Sequence, residues 1–237
     1  PVTFGEHIER FALYMARHWD RVLGYTWEHA RLSLLGLAIA TVVGVLLGVL
    51  ISHRRGLAGP VLWLANVIYT IPSIALFGLM IPLLGIGTVP ALVALVLYVQ
   101  LVLIRNTYVG ITGVDASLLE AARGMGMTPA QVLWRVRLPL ALPVILAGIR
   151  TAAVLMVGTA TIAAWIGAGG LGVLIVRGLG TTNVAMMLAG AIPSVLLAIL
   201  FDRLLGVLEG RLVSPGLRGG AGSGRQAGRE RAAEVTA

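Results

Sequence analysis

The stretch EAARGMGMTPAQVLWRVRLP, residues 120–139, decides how the rest of the chain is read. From residue 32 up to the approach to this stretch, and from residue 138 to 201, the sequence is dominated by apolar side chains. These twenty positions instead carry four charges, two glycines and an internal proline. A polar interruption of that length in an apolar chain marks a segment that leaves the bilayer and has a use outside it.

The flanks define the solvent. Of the 237 residues, 58% are hydrophobic and 12% charged, and the mean hydropathy is +0.93, which is the composition of a single integral membrane domain. Apolar runs at residues 32–52, 60–84, 89–104, 138–166 and 184–208 approach or exceed the roughly 20 residues that a helix needs to cross about 30 Å of hydrocarbon. The expected fold is therefore all-α and membrane-embedded, with about five transmembrane helices. The first run holds Gly44 and Gly48, a small-xxx-small pair that would let a second helix approach closely. An ordinary excess of glycine in membrane helices is the open alternative. Pro72 and Pro82 are expected to kink or break the second span.

All eighteen basic residues are arginine. Placing the interruption in the cytoplasm brings Arg54, Arg55 and the arginines after residue 201 to the same side, so that twelve of the eighteen lie inside. Such an excess sets orientation, with the N-terminus outside and the C-terminus cytoplasmic. The outer side then holds Arg10, Arg17, Arg21 and Arg31, matched by Glu6, Glu9, Asp20 and Glu28, together with Arg177. Residues 1–30 carry Phe4, Ile8, Phe11, Met15, Trp19 and Val22 at spacings of three and four, an outer amphipathic helix lying at the interface or packed, solvated, on the spans. Residues 31–213 form the membrane domain, with a cytoplasmic loop at 114–138. Residues 214–237, rich in glycine and arginine without apolar periodicity, are expected to be a disordered cytoplasmic tail.

Several functions are disfavoured. Cysteine is absent, and with it thiol chemistry and cysteine metal ligands. No GxxxxGK[ST] loop or HExxH motif occurs, so the chain is not expected to hydrolyse nucleotide or to be an enzyme. GAGGLG at residues 167–172 lacks the lysine of a phosphate loop. No acid lies between residues 32 and 114 or between 138 and 201, which argues against a proton-coupled carrier with a buried relay. A passive channel and a membrane subunit driven by another protein remain.

Glu120, Ala121 and Ala122 are followed after three residues by Gly126, then after nine by Val136, Leu138 and Pro139. This spacing resembles the EAA loop of the permease subunits of bacterial ABC importers. TIPSIALFGLMIPLLGIG at residues 70–87, RNTYVGITGVD at 105–115 and ATIAAWIGAGGLG at 160–172 extend the likeness to the permeases for glycine betaine, carnitine and choline. The resemblance covers about residues 28–208. It implies the type I ABC importer permease fold in the bacterial cytoplasmic (inner) membrane, with residues 114–138 as the ATPase-coupling loop. It also implies an ABC ATPase on the cytoplasmic side, an extracytoplasmic substrate-binding protein, and a second permease copy or homologue, all working by alternating access. A methionine or other amino-acid-like solute is the alternative substrate; an ATP-independent channel is the alternative mechanism. No cofactor, metal or nucleic acid is expected.

Pathway candidates are Tyr98, Asn106, Arg150 and Trp165. Arg150 lies about 16 Å along the fourth span, where it would face a partner or an aqueous lining or else pair with carbonyls nearer the cytoplasmic end. Tyr98 and Trp165 suit a quaternary ammonium by cation-π contact but equally suit packing. Asn106 suits a gate or a helix-end cap. Gly167, Gly169 and Gly170 are expected to form a tight outer loop at the mouth of the pathway.

Overall fold

The computed structural model describes residues 4–213; the tail expected at 214–237 lies outside the described residues. The chain folds as α1 (Phe4–His53), α2 (Arg55–Thr70), α3 (Ser73–Leu84), α4 (Thr88–Thr112), α5 (Ala116–Gly124), α6 (Pro129–Val132), α7 (Leu138–Ala160), α8 (Gly172–Gly180) and α9 (Val184–Leu212). A π-helical turn, Leu133–Arg137, joins α6 to α7, and a 3₁₀ turn, Ile162–Ile166, follows α7.

Ile8–His53, Thr88–Thr112, Pro129–Ala160 and Val184–Leu212 are each long and apolar enough to cross a membrane. The expected second span is not one helix. Pro72 biases Ile71 toward extended backbone, at φ −65° and ψ 126°, and α2 and α3 meet there at a 100° bend. Neither half, at about 24 and 18 Å, reaches across 30 Å alone. Pro82 sits inside α3 without ending it. The fourth expected span is helical only to Ala160 before tightening into the 3₁₀ turn.

The N-terminal amphipathic segment is not set off from the first span at residue 30. α1 covers 50 residues as two helical stretches, the second continuing into the span, which meet in a kink at His18 (φ −130°, ψ 19°). There the ring stacks on Tyr14 at 4.4 Å, and Nδ1 donates to the Tyr14 carbonyl at 3.1 Å.

α4 is the central helix, buried along Ala91, Ala94, Leu95, Val99, Leu103 and Ile104. Phe77, Met156 and Ala160 join it in the main core. α1 lies against it along a seam of small residues. A methyl group on Gly44 would stand 2.5 Å from Leu103 Cβ, and one on Gly48 would stand 2.5 Å from Thr107 Cβ. The small-xxx-small pair therefore serves close helix approach, gaining dispersion contacts between α1 and α4. Gly148 of α7 meets Asn106 in the same way: a methyl group on it would stand 2.6 Å from Asn106 Cβ.

Candidate functional site

The polar interruption folds as a closed hairpin whose every turn follows from local chemistry. Asp115 caps α5, its carboxylate accepting from the Ser117 amide at 2.8 Å. That amide, and after it the Ser117 hydroxyl, hold the Asp115 carboxyl below its ordinary range. α5 ends in a Schellman closure. The Met127 amide donates to the Ala122 carbonyl at 3.2 Å and the Gly126 amide to the Arg123 carbonyl at 2.9 Å, with Gly126 at φ +77°. Thr128 then caps α6 in a capping box with Gln131, at 2.8 and 3.3 Å, and Pro129 takes the first helical turn.

The spacing of the motif is the spacing of this closure. Ala122 is buried and supplies the carbonyl, Gly126 supplies the left-handed residue four positions on, and Glu120 and Ala121 remain exposed. Leu138 is half-buried and Pro139 exposed in the first turn of α7. Leu118, Met125 and Trp134 project apolar surface beside Glu120 and Arg123. A mixed apolar and charged surface of this kind suits a protein partner and contains no reacting pair of groups.

Arg150, in α7, is held by α9. Its Nε and Nη2 donate to Asp202 at 2.9 and 3.1 Å, and its Nη1 donates to Glu209 at 2.9 Å. The three side chains are each a quarter to a third exposed, and Arg150 and Asp202 line an open groove with Thr151 and Leu155. Asp202 and Glu209 were missing from the sequence-derived site because they follow Arg150 by 52 and 59 positions. The available signal was their periodicity: they are the acids of α9 and stand seven residues apart, two turns along one face.

Gly167, Gly169 and Gly170 all adopt positive φ, at 78°, 81° and 76°. Two of them close onto α1. The Gly170 amide donates to Glu28 at 3.0 Å; a Cβ on Gly169 would lie 2.7 Å from the Glu28 carboxylate and one on Gly170 3.0 Å from the His29 ring. His29 is fully buried, and its Nε2 donates to the Val157 carbonyl at 3.0 Å. The loop is thus latched to α1 and α7, a role for Glu28 and His29 that no local motif announces.

The remaining candidates lie apart from Arg150. Tyr98 packs against Tyr69 with the rings tilted by 31° and their centroids 5.2 Å apart, against the main core. Asn106 donates to the Val102 carbonyl one turn back, at 2.8 Å. Trp165 projects from the 3₁₀ turn, 58% exposed. None of these three lines the groove beside Arg150.

Residues 40–214 match the family described as "Binding-protein-dependent transport system inner membrane component". The chain is 43% identical over 212 residues to the choline transport system permease protein OpuBB of Bacillus subtilis, covering 90% of this chain and 96% of that protein. It is 46% identical over 210 residues to the osmoprotectant import permease protein OsmW of Salmonella typhimurium, covering 86% and 98%. Among solved structures, a chain of the MetNI methionine ABC transporter in an inward-facing conformation superposes with a TM-score of 0.74 at 25% identity, over 81% of this chain and 96% of that one.

Proposed function

The chain belongs to the binding-protein-dependent transport system inner membrane components, and from that premise we propose that it is the permease subunit of an ABC importer for osmoprotectant quaternary amines such as choline, glycine betaine and carnitine. It is a transport subunit rather than an enzyme: a separate ATPase hydrolyses the nucleotide, and an extracytoplasmic binding protein delivers the solute. The relatives named for choline and for osmoprotectant import, at 43% and 46% identity, support the substrate class.

The observation that carries the mechanism is the capped hairpin of α5 and α6, projecting Glu120, Met125 and Trp134. In this reading it seats in the ATPase, the N-terminus lies outside and the C-terminus inside, and a second copy or homologue completes the pathway. Nucleotide binding draws the two hairpins together, and because each leads directly into α7, the movement reaches the helix that holds Arg150. ATP and solute each favour one of two states, which is what alternating access requires. Arg150, Tyr98, Asn106 and Trp165 are pathway candidates, and the loop at Gly167, Gly169 and Gly170 lies at the outer mouth.

The test is uptake of labelled glycine betaine, choline and methionine into proteoliposomes holding this chain with its ATPase and binding protein, with and without ATP. ATP-dependent accumulation of a quaternary amine, abolished by Glu120→Arg with the chain still folded in the membrane, is the expected result. Accumulation of methionine alone overturns the substrate. Equilibration without ATP overturns the mechanism.

A further inference from the structure

The outer turns of α1 and the loop entering α9 enclose a groove of about 680 Å³, apart from Arg150 and from the hairpin of α5 and α6. Arg10, Arg17 and His18 line one wall; Thr181, Thr182 and Asn183 line the other. Arg10 and Arg17 stand seven residues apart, two turns along one stripe of the helix, and neither guanidinium has an ion-pair partner among the described residues. The N-terminal part of α1 carries acids as well, at Glu6, Glu9, Asp20 and Glu28, but none of them lines this groove, and Glu28 is committed to Gly170. The charges of a balanced segment are thus sorted so that the groove is cationic.

The facing wall is built to the same sign. Thr182 sits at φ +52° as the left-handed residue that closes α8, the Asn183 amide donating to the Gly178 carbonyl at 2.8 Å and the Thr182 amide to the Leu179 carbonyl at 3.3 Å. Behind it begins the 29-residue α9, whose positive dipole end faces the arginines. Asn183 takes only the Met186 amide, at 3.1 Å. Val184 and Ala185, whose amides in the first turn have no acceptor within the helix, line the groove too.

We propose that this groove binds a phosphate-bearing anion, gripped by Arg10 and Arg17 and capped by the first turn of α9. Two guanidinium forks across from the first-turn amides and the Thr182 hydroxyl match the oxygens of a phosphate better than a single carboxylate; the Thr181 hydroxyl is committed to the Arg177 carbonyl at 2.9 Å. The phosphate has two possible sources, the headgroup of an anionic phospholipid and a phosphate free in solution. Exposed Leu13, Trp19 and Leu23 on the same stretch of α1 would accompany acyl chains in the first case.

The experiment is isothermal titration of the purified full-length chain in nonionic detergent with dioctanoyl-phosphatidylglycerol, dioctanoyl-phosphatidylcholine and inorganic phosphate. The variants are Arg10→Gln with Arg17→Gln, Arg10→Lys with Arg17→Lys, and Arg21→Gln as a cation on the same helix outside the groove. The wild type is expected to bind phosphatidylglycerol in preference to phosphatidylcholine. The glutamine pair should bind at least about tenfold more weakly, the lysine pair should retain most of the affinity, and Arg21→Gln should match the wild type. Each variant is expected to melt with the wild type, since the substituted side chains are exposed. Displacement of the lipid by inorganic phosphate identifies the free anion as a ligand; binding that phosphate leaves untouched identifies the headgroup. Equal affinity in the glutamine pair, an equal loss in Arg21→Gln, or no binding of either phosphate probe overturns the proposal.

Discussion

Replacing Arg150 by glutamine isolates what the ion triad contributes. Arg150 faces two carboxylates at 2.9 Å, Asp202 and Glu209, so its removal leaves two acids side by side with no cation between them. A buried pair broken on one side costs about 3–5 kcal/mol, whereas exposed pairs are worth about 1 kcal/mol or less. The three side chains are 35%, 33% and 25% exposed, so the expected cost lies between these limits, at about 2 kcal/mol. For a chain of this size that is a fall in Tm of roughly 4–8 °C. Asp202→Asn or Glu209→Gln alone leaves one partner and should cost less, about 1 kcal/mol. The triple variant with Arg150→Gln, Asp202→Asn and Glu209→Gln carries no charge in need of a partner and should melt within a few degrees of the wild type. Thermal unfolding of the full-length chain in detergent, followed by tryptophan fluorescence, reads all four. The reasoning fails if Arg150→Gln melts with the wild type, or if the triple variant melts as low as Arg150→Gln, because either result means that the pairing carries no coupling energy.

Other predictions follow from the packing and the turns. Gly48→Ala places a methyl 2.5 Å from Thr107 Cβ and should cost about 1–3 kcal/mol through overpacking; adding Thr107→Gly, which removes that Cβ, should recover part of the loss in the same melting assay. Gly126→Ala meets no neighbour within 4 Å but must hold φ +77°, so it should cost about 1 kcal/mol locally and lower ATP-driven uptake more than the amount of folded permease in the membrane. Asp115 has a lowered carboxyl pKa because the Ser117 amide and hydroxyl bond its charged form. Its cap is therefore complete above the ordinary aspartate range and is lost as the pH falls through the lowered value. Hydrogen exchange at the first turn of α5 should accelerate over that fall, corrected for the intrinsic rate, and should lose the pH dependence in Asp115→Asn.

The coupling hairpin was legible because its instructions are local. Gly126, Thr128, Pro129 and Gln131 lie within six residues, and each acts on the backbone next to it. The apolar runs likewise declared their spans, because length and hydropathy are properties of a segment by itself. Pro72 announced a break but not its 100° bend, after which Leu76 and Phe77 of α3 enter the core beside α4. The triad was hidden for the opposite reason. Arg150 was conspicuous as an arginine among apolar residues, but its partners lie on another helix, and nothing in the sequence of α7 points to Asp202. The Glu28 to Gly170 latch spans 142 residues, so the glycines announced a tight loop without naming what it closes on.

Gly44 and Gly48 on one hand and Gly126 on the other answer two requirements that a mirror-image residue would separate. At Gly44 and Gly48 the backbone is ordinary right-handed helix, and the requirement is for volume: a Cβ there would stand in the way of α4. At Gly126 there is room for a methyl group and the requirement is for handedness, since φ +77° is the natural territory of a D-residue. A semisynthetic chain with D-alanine at 126 should therefore turn as well as the native one, or better, having fewer unfolded conformations to give up. The same residue in the α1 seam would gain nothing. The hairpin is specified by chirality, the seam by size, and the one-letter code writes both as G.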